Sequence, residues 1–330
     1  MGFRLLVDLY HQQMACWAAN EPVLARLRTL PGWVVTALPE YGAERSAMLR
    51  EGADAIWTWS AGAEELALCA GLRWISTPAA GADYLDVETL LRSGWIVTTS
   101  HGHHGPAIAE HAWAMALMLA RGFHHGASDR AAASERPEFL ERVLDVAGSH
   151  CLLLGIGGVG SAIATRALAF GCSCSALGRE ARIREDGVRV VELTDLDAEL
   201  HRSRFVFNSL PGGEGTHQLL AERRLSLLPS PAVLVNVGRG STVDEEALLR
   251  RVRAGQLRAG LDVVGVEPVA ADSPLRCEAD VVLTPHVAAV TPDYLLRAAE
   301  QQAAQMQRFS AGEPLHWQEA GGGCSTVLSL

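Results

Sequence analysis

Short apolar runs alternate with helix-spaced stretches along most of the chain. In the first hundred residues, FRLLVDL, WVVTAL, DAIWTW and GLRWISTP have the length and apolar content of strands. AEELALCA, between the last two, has helical spacing. A second series opens at CLLLGIGGVGSAIATRALAFG and continues through CSCSAL, RFVFNSL, AVLVNV, GLDVV and DVVLTP, with helical stretches such as EEALLRRVRAG between most of them. Alternation of this kind builds parallel sheets with helices on their faces, so the pattern predicts two α/β units in succession.

The segments outside the two series have characters of their own. HGHHGPAIAEHAWAMALMLARG is a glycine-punctuated entry to a long apolar helix, with Pro106 suited to the first turn and Glu110 to the positive end of the dipole. A helix this apolar is expected to pack between domains or subunits. Residues Phe123 to Ala147 are more polar and predict an exposed arm. Pro292 can start a last helix through YLLRAAEQQAAQMQRF, and GGGCSTVLSL has the composition of a flexible tail.

Composition narrows the class. With 330 residues, 48% of them hydrophobic and 20% charged, the chain can bury the cores of two globular domains. Its net charge of −10 repels phosphate backbones and anionic lipid, which argues against nucleic acid or membrane as the main partner. The first residues lack the apolar run of a secretory signal, and Ala112 to Ala120 is too short to span a bilayer, so a cytoplasmic setting is expected. Seven cysteines without framework or metal spacing fit free thiols in a reducing compartment. Cys172 and Cys174 share one face of a strand and read as small buried hydrophobes.

The first chemical motif is Gly155-x-Gly157-x-x-Gly160, directly after the strand CLLL and before the helix SAIATRALAF. Such glycines permit a tight turn, close approach of the backbone to a pyrophosphate and close helix–strand packing, while the helix N-terminus offers amides and positive dipole charge. Gly155, Gly157, Gly158, Val159 and Gly160 are therefore assigned to a dinucleotide. An NAD site usually has a carboxylate about 20 residues further on. Here the second strand ends Ser175-Ala176-Leu177-Gly178-Arg179, with Arg182 close behind, a pairing suited to a 2′-phosphate. NADP is favoured over NAD on that ground.

Three further motifs stand at predicted strand ends: VNVGRGSTVDEEAL, GLDVVGVEP and TPHVAAVTP. With the glycine loop, STPAAGADYLD, IAEHAWAMALMLAR and NSLPGGEGTHQLL, they resemble the D-2-hydroxyacid dehydrogenase family in order and spacing over nearly the whole chain. The chemistry also follows from residue types. Reducing a 2-oxo acid needs a cation for its carboxylate and a proton for the forming alkoxide. Arg239 offers a planar guanidinium, His286 an imidazole able to give and take a proton, and Glu267 a carboxylate to orient it. The resemblance implies these as the substrate-binding arginine and the acid/base pair. It also implies that Asp262 holds the nicotinamide carboxamide, that Pro211 and Thr216 run beside the cofactor, and that the backbone of Ala80 and Gly81 binds the substrate carboxylate.

The expected architecture is thus two Rossmann-like/flavodoxin-like domains with parallel sheets and a cleft between them. Residues 1–99 with 292–330 form the substrate domain, and 100–291 the dinucleotide domain. The expected activity is hydride transfer between NAD(P)H and a small 2-oxo acid, of the glyoxylate/hydroxypyruvate reductase kind. A dinucleotide-sensing corepressor on the same fold and phosphite-type oxidation are the competing readings. No metal is expected, since the histidines of HGHHG (His101, His103, His104) adjoin on one loop without distant ligands. A cleft-edge role for one of them stays open. His124 and His125 are expected to face solvent, Trp57 to pack in the core, and Trp59 and Ser60 to influence selectivity. Many relatives carry a tryptophan in the segment after the apolar helix, reaching into the partner subunit. Phe123 to Ala147 has none, which leaves a partner contribution to the site open, while a homodimer through the apolar helix is still expected.

Overall fold

The computed structural model describes residues 2–10, 15–60, 62–82, 84–128 and 143–319. These fall into two compact units, residues 2–103 with 290–319, and 104–289. The first contains five strands: β1 (Phe3–Asp8), β2 (Trp33–Ala37), β3 (Ala55–Thr58), β4 (Trp74–Ser76) and β5 (Ile96–Thr98). They pair in the order β2-β1-β3-β4-β5, all parallel, the flavodoxin-like arrangement. β3 is buried at every residue, including Trp57 at 0% exposure, because helices cover both faces of such a sheet. β5 was not singled out from the sequence: it is only three residues long and its ladder partner, not its length, makes it a strand.

The second unit carries β6 (His150–Leu154), β7 (Ser173–Leu177), β8 (Arg182–Ile183), β9 (Arg189–Val191), β10 (Phe205–Asn208), β11 (Ala232–Asn236), β12 (Leu257–Leu261) and β13 (Val281–Leu283). Their order is β13-β12-β11-β10-β6-β7-β9-β8, parallel except for β8 against β9. Counting from β6, the run from β9 to β12 is the doubly wound order 3-2-1-4-5-6, and its reversal point lies between β6 and β10. β12 begins and ends earlier than the sequence pattern indicated, so that Asp262 falls just beyond the strand, where its carboxylate meets backbone amides.

The apolar helix Gly105–Ala120 packs on β11, β12 and the helix Gly158–Ala169 of its own unit, with Trp113 Nε1–H donating to the carbonyl of Ile163 at 3.1 Å. Much of its apolar surface is thus spent inside the unit. Gly105 allows that contact: a Cβ there would come within 2.9 Å of the Gly158 carbonyl oxygen. The expected polar arm is corrected in two places. Phe123–Ser128 is helical, and Leu144 and Val146 pack against the core, with the Leu144 N–H donating to Ala120 O at 2.8 Å. Residues 129–142 and the glycine-rich tail lie outside the described residues. The last helix, Tyr294–Ala311, starts two residues after Pro292. Cys151, Cys172 and Cys174 are buried in one apolar cluster, and all six cysteines among the described residues are free thiols.

Candidate active site

The glycine loop sits at the carboxyl end of β6, beside the reversal point of the sheet. Gly155 has φ +97°, which disfavours any residue with a Cβ. A Cβ on Gly160 would lie 2.0 Å from the Gly155 carbonyl oxygen, so the helix can return this closely only through glycine. Gly157 differs: it caps the helix Gly158–Ala169 with an ordinary φ of −72°, and a Cβ there would meet no protein atom within 4 Å. The open space in front of Gly157, next to the first amides of a twelve-residue helix, fits a pyrophosphate. Gly158 and Val159 form the first helical turn.

At the end of β7, Arg179 and Arg182 are both exposed, and Arg182 lies in β8. The fold adds a carboxylate that the linear spacing did not reveal. Glu192, just past β9, accepts the Ala181 N–H at 3.4 Å and so stands beside the same turn. In the loop after β10, the Thr216 hydroxyl donates to the Pro211 carbonyl at 2.7 Å; Thr216 is buried and ties the loop closed, while Pro211 is exposed.

Arg239 follows β11 and is half-buried, with Nη1 donating to the Gly238 carbonyl at 2.9 Å. Its backbone is held by a buried polar network not anticipated from the sequence. Asn236 Nδ2 and Thr242 Oγ1 donate to the Arg239 carbonyl at 3.1 and 2.6 Å, and Asn208 Nδ2 donates to Asn236 Oδ1 and Thr242 Oγ1 at 2.8 and 2.6 Å. These asparagines are the last residues of β10 and β11, a register that only strand pairing reveals. The next residue, Gly240, lies against Val264 and Gly265; a Cβ there would fall 1.9 Å from the Val264 carbonyl carbon. The turn carrying Arg239 is thereby seated on the segment between Asp262 and Glu267.

Glu267 and His286 meet directly. His286 Nδ1–H donates to Glu267 Oε2 at 2.8 Å, while Glu267 Oε1 accepts the Val264 N–H at 3.2 Å. A carboxylate can only accept, so Nδ1 carries the proton and Nε2 remains for chemistry. His286 has φ +55°, a conformation rarely used by a residue with a side chain. Its N–H donates to the carbonyls of Asp262 and Thr284 at 2.9 and 3.1 Å, which holds it there. Half of the His286 side chain is exposed, and a cavity of about 540 Å³ opens against Asp262, Glu267, Thr284 and His286. Asp262 is buried and accepts from the amides of Val287 and Ala288 and from the Thr284 hydroxyl.

In the first unit, Tyr294 OH donates to the Pro78 carbonyl at 3.0 Å, and the Ser100 N–H to that of Ala79 at 2.8 Å. The turn that follows presents Ala80 exposed and Gly81 half-buried. Trp59 donates to the Trp17 carbonyl and stacks on Tyr294, and His103 packs edge-on against Tyr294. Burial drives the His103 imidazole down to about pKa 4, partly opposed by its contact with Gln301. Ser60 continues the turn after β3 through its N–H to Thr58 Oγ1, and His101 is exposed while His104 is buried at the entry to the apolar helix.

The expectation that His124 and His125 face solvent is overturned. His124 is buried, and both Nε2 atoms lie 3.0–3.1 Å from Asp280 Oδ1. These contacts hold the Asp280 carboxyl down at about pKa 2, with the neighbouring Arg258 guanidinium acting in the same direction. The buried arginine beside the same carboxylate supplies its positive charge, which disfavours a divalent cation there.

Comparison with known proteins agrees with this architecture. The family description "D-isomer specific 2-hydroxyacid dehydrogenase, NAD binding domain" matches residues 113–288. A glyoxylate reductase of Korarchaeum cryptofilum is 32% identical over 251 residues, 73% of this chain and 74% of that protein. A D-3-phosphoglycerate dehydrogenase of Mycobacterium leprae is 33% identical over 256 residues, 76% of this chain but 47% of that longer protein. Among solved structures, the TT0316 protein of Thermus thermophilus superposes with a TM-score of 0.75 at 28% identity, covering 96% of this chain and all of that one. The chain belongs to the D-2-hydroxyacid dehydrogenase family, and its second unit contains that family's NAD-binding domain.

Proposed function

We propose that the protein transfers a hydride between a nicotinamide dinucleotide and a small 2-oxo or D-2-hydroxy acid, as a reductase of the glyoxylate/hydroxypyruvate kind. The observation that carries the reading is the Glu267–His286 contact beside an open cavity at the carboxyl edge of a dinucleotide-binding sheet. A bound nicotinamide supplies or takes up the hydride. His286, with Nδ1 committed to Glu267, gives a proton from Nε2 to the forming alkoxide, and the carboxylate of Glu267 stabilises the imidazolium required for this. Arg239 binds the substrate carboxylate as a planar fork. The backbone of Ala80 and Gly81 would provide further donors for it, and Asp262 would hold the carboxamide of a bound nicotinamide. In the oxidative direction neutral His286 takes the proton instead.

The two exposed arginines, Arg179 and Arg182, favour NADP over NAD. A cytoplasmic setting and a homodimer belong to the same proposal; the free thiols fit a reducing compartment, and no helix among the described residues is long and apolar enough to cross a membrane. The test is steady-state turnover of glyoxylate, hydroxypyruvate, pyruvate and bulkier 2-oxo acids with NADPH and NADH, with phosphite plus NADP+ or NAD+ as a control for the oxidative reading. Turnover of a small 2-oxo acid supports the reading. Tight dinucleotide binding without turnover of any of them replaces it with a sensor.

A further inference from the structure

The Asp262 carboxylate organises the loop that carries His286. Its Oδ1 accepts the Thr284 hydroxyl at 2.6 Å and the Val287 N–H at 2.9 Å, and its Oδ2 accepts the Ala288 N–H at 3.0 Å. Its backbone carbonyl takes the His286 N–H. One buried aspartate therefore grips the residues on both sides of the imidazole. The rotamer of Thr284 is part of that grip, and a second side chain fixes it. His111 Nε2 lies 2.9 Å from Thr284 Oγ1, within hydrogen-bond reach, and 3.6 Å from Asp262 Oδ1, beside it but beyond that reach, so its hydrogen bond goes to the hydroxyl.

The direction of these bonds follows from counting protons. A hydroxyl has one proton, and an ionised carboxylate can only accept, so Thr284 gives its proton to Asp262. Its oxygen is then an acceptor, and His111 must be protonated at Nε2 to donate to it. His111 sits in the helix Gly105–Ala120, which packs on β11, β12 and the helix Gly158–Ala169, so the chain of bonds ties the His286 loop to a helix packed into the core of the unit. A leucine or phenylalanine at 111 could fill the same space without supplying the donor.

We propose that His111 is a positioning residue: acting through Thr284, it keeps the Asp262 carboxylate turned onto Val287 and Ala288 and so holds His286 in its left-handed conformation. The catalytic consequence rests on the acid/base role read for His286 above; the structural one does not.

The experiment uses the full chain with His111→Leu, Thr284→Val, the double variant, and the conservative His111→Gln and Thr284→Ser, each of which keeps a donor of the required kind. Amide exchange of Thr284 and His286 to Ala288, read by mass spectrometry or NMR, should quicken about tenfold in each disruptive single variant, with little further change in the double. The conservative variants should stay within about threefold of the parent, and they also guard against a general loss of folding. In turnover, His111→Leu should lower kcat about tenfold while KM for the 2-oxo acid, held by Arg239, moves less than about twofold. Unchanged exchange in both single variants, or effects that simply add in the double, overturns the proposal. The expected exchange pattern in a protein that turns over no 2-oxo acid sinks only the functional reading.

Discussion

Two glycines of one loop separate folding from binding. Replacing Gly160 by alanine puts a Cβ 2.0 Å from the Gly155 carbonyl oxygen and 2.9 Å from its carbon, both backbone atoms. Ordinary carbon–oxygen contacts begin near 3.3 Å, so the start of the helix must move by about 1 Å. Overpacking of this kind costs about 1–3 kcal/mol, or about 3–10 °C in Tm for a unit of this size. Replacing Gly157 meets nothing within 4 Å at φ −72°. The lost preference for glycine over alanine at a helix cap and the gain from a stiffer unfolded chain nearly cancel, leaving stability within about 1 kcal/mol of the parent. The methyl group would, however, stand in the space assigned to the pyrophosphate. A loss of at least about 100-fold in dinucleotide affinity is expected, near 2.7 kcal/mol. Thermal unfolding without ligand and calorimetric titration with NADPH and NADH measure the two effects separately. Parental affinity in Gly157→Ala would refute the pyrophosphate assignment, and a parental Tm in Gly160→Ala would refute the close contact.

Three further outcomes are expected. His103 is held neutral near pKa 4 when folded but titrates near 6.5 when unfolded, so the unfolded chain binds the extra proton between those values. Stability therefore falls as pH drops from about 6.5 to 4, by on the order of 3 kcal/mol from this group, and urea unfolding at several pH values should show a shallower slope in His103→Asn. Asp8 and Arg45 form a bidentate pair at 2.6 and 2.8 Å with both side chains nearly buried. Asp8→Ala should cost about 3 kcal/mol in chemical denaturation, the low end for a broken buried pair because Glu65 still holds Arg45. Alanine at both Arg179 and Arg182 should raise KM for NADPH about 100-fold and leave that for NADH nearly unchanged; equal changes for both cofactors would show that neither arginine reads the 2′-phosphate.

Local chemistry made much of this legible before any coordinates. A strand, a glycine loop and a helix are contiguous in sequence, and the steric demands that require Gly155 and Gly160 act over five residues. The motif can therefore be read directly, as can the parallel α/β character that follows from alternating segments. The acid/base pair was readable only because its members stand in motifs met together in one family; Glu267 and His286 are nineteen positions apart. Short-range pattern failed where structure depends on a partner strand, as in β5, β8 and β9, whose two or three residues have no periodicity to detect. It failed again for His124 and His125, which look like a polar surface pair until β13 brings Asp280 beside them.

Residue types and their order along the chain determined the class of sheet, the place of the dinucleotide loop and the candidate groups for catalysis, because each depends on neighbours a few bonds away. Tertiary structure alone decided that Asn208, Asn236 and Thr242 hold the Arg239 turn and that Glu192 stands beside the Arg179 turn. It also decided that His111 reaches Asp262 through Thr284. The physical reason is that hydrogen-bond partners and buried charges are chosen by strand order and register, which bring together residues far apart in the chain, such as His111 and Thr284, 173 positions apart.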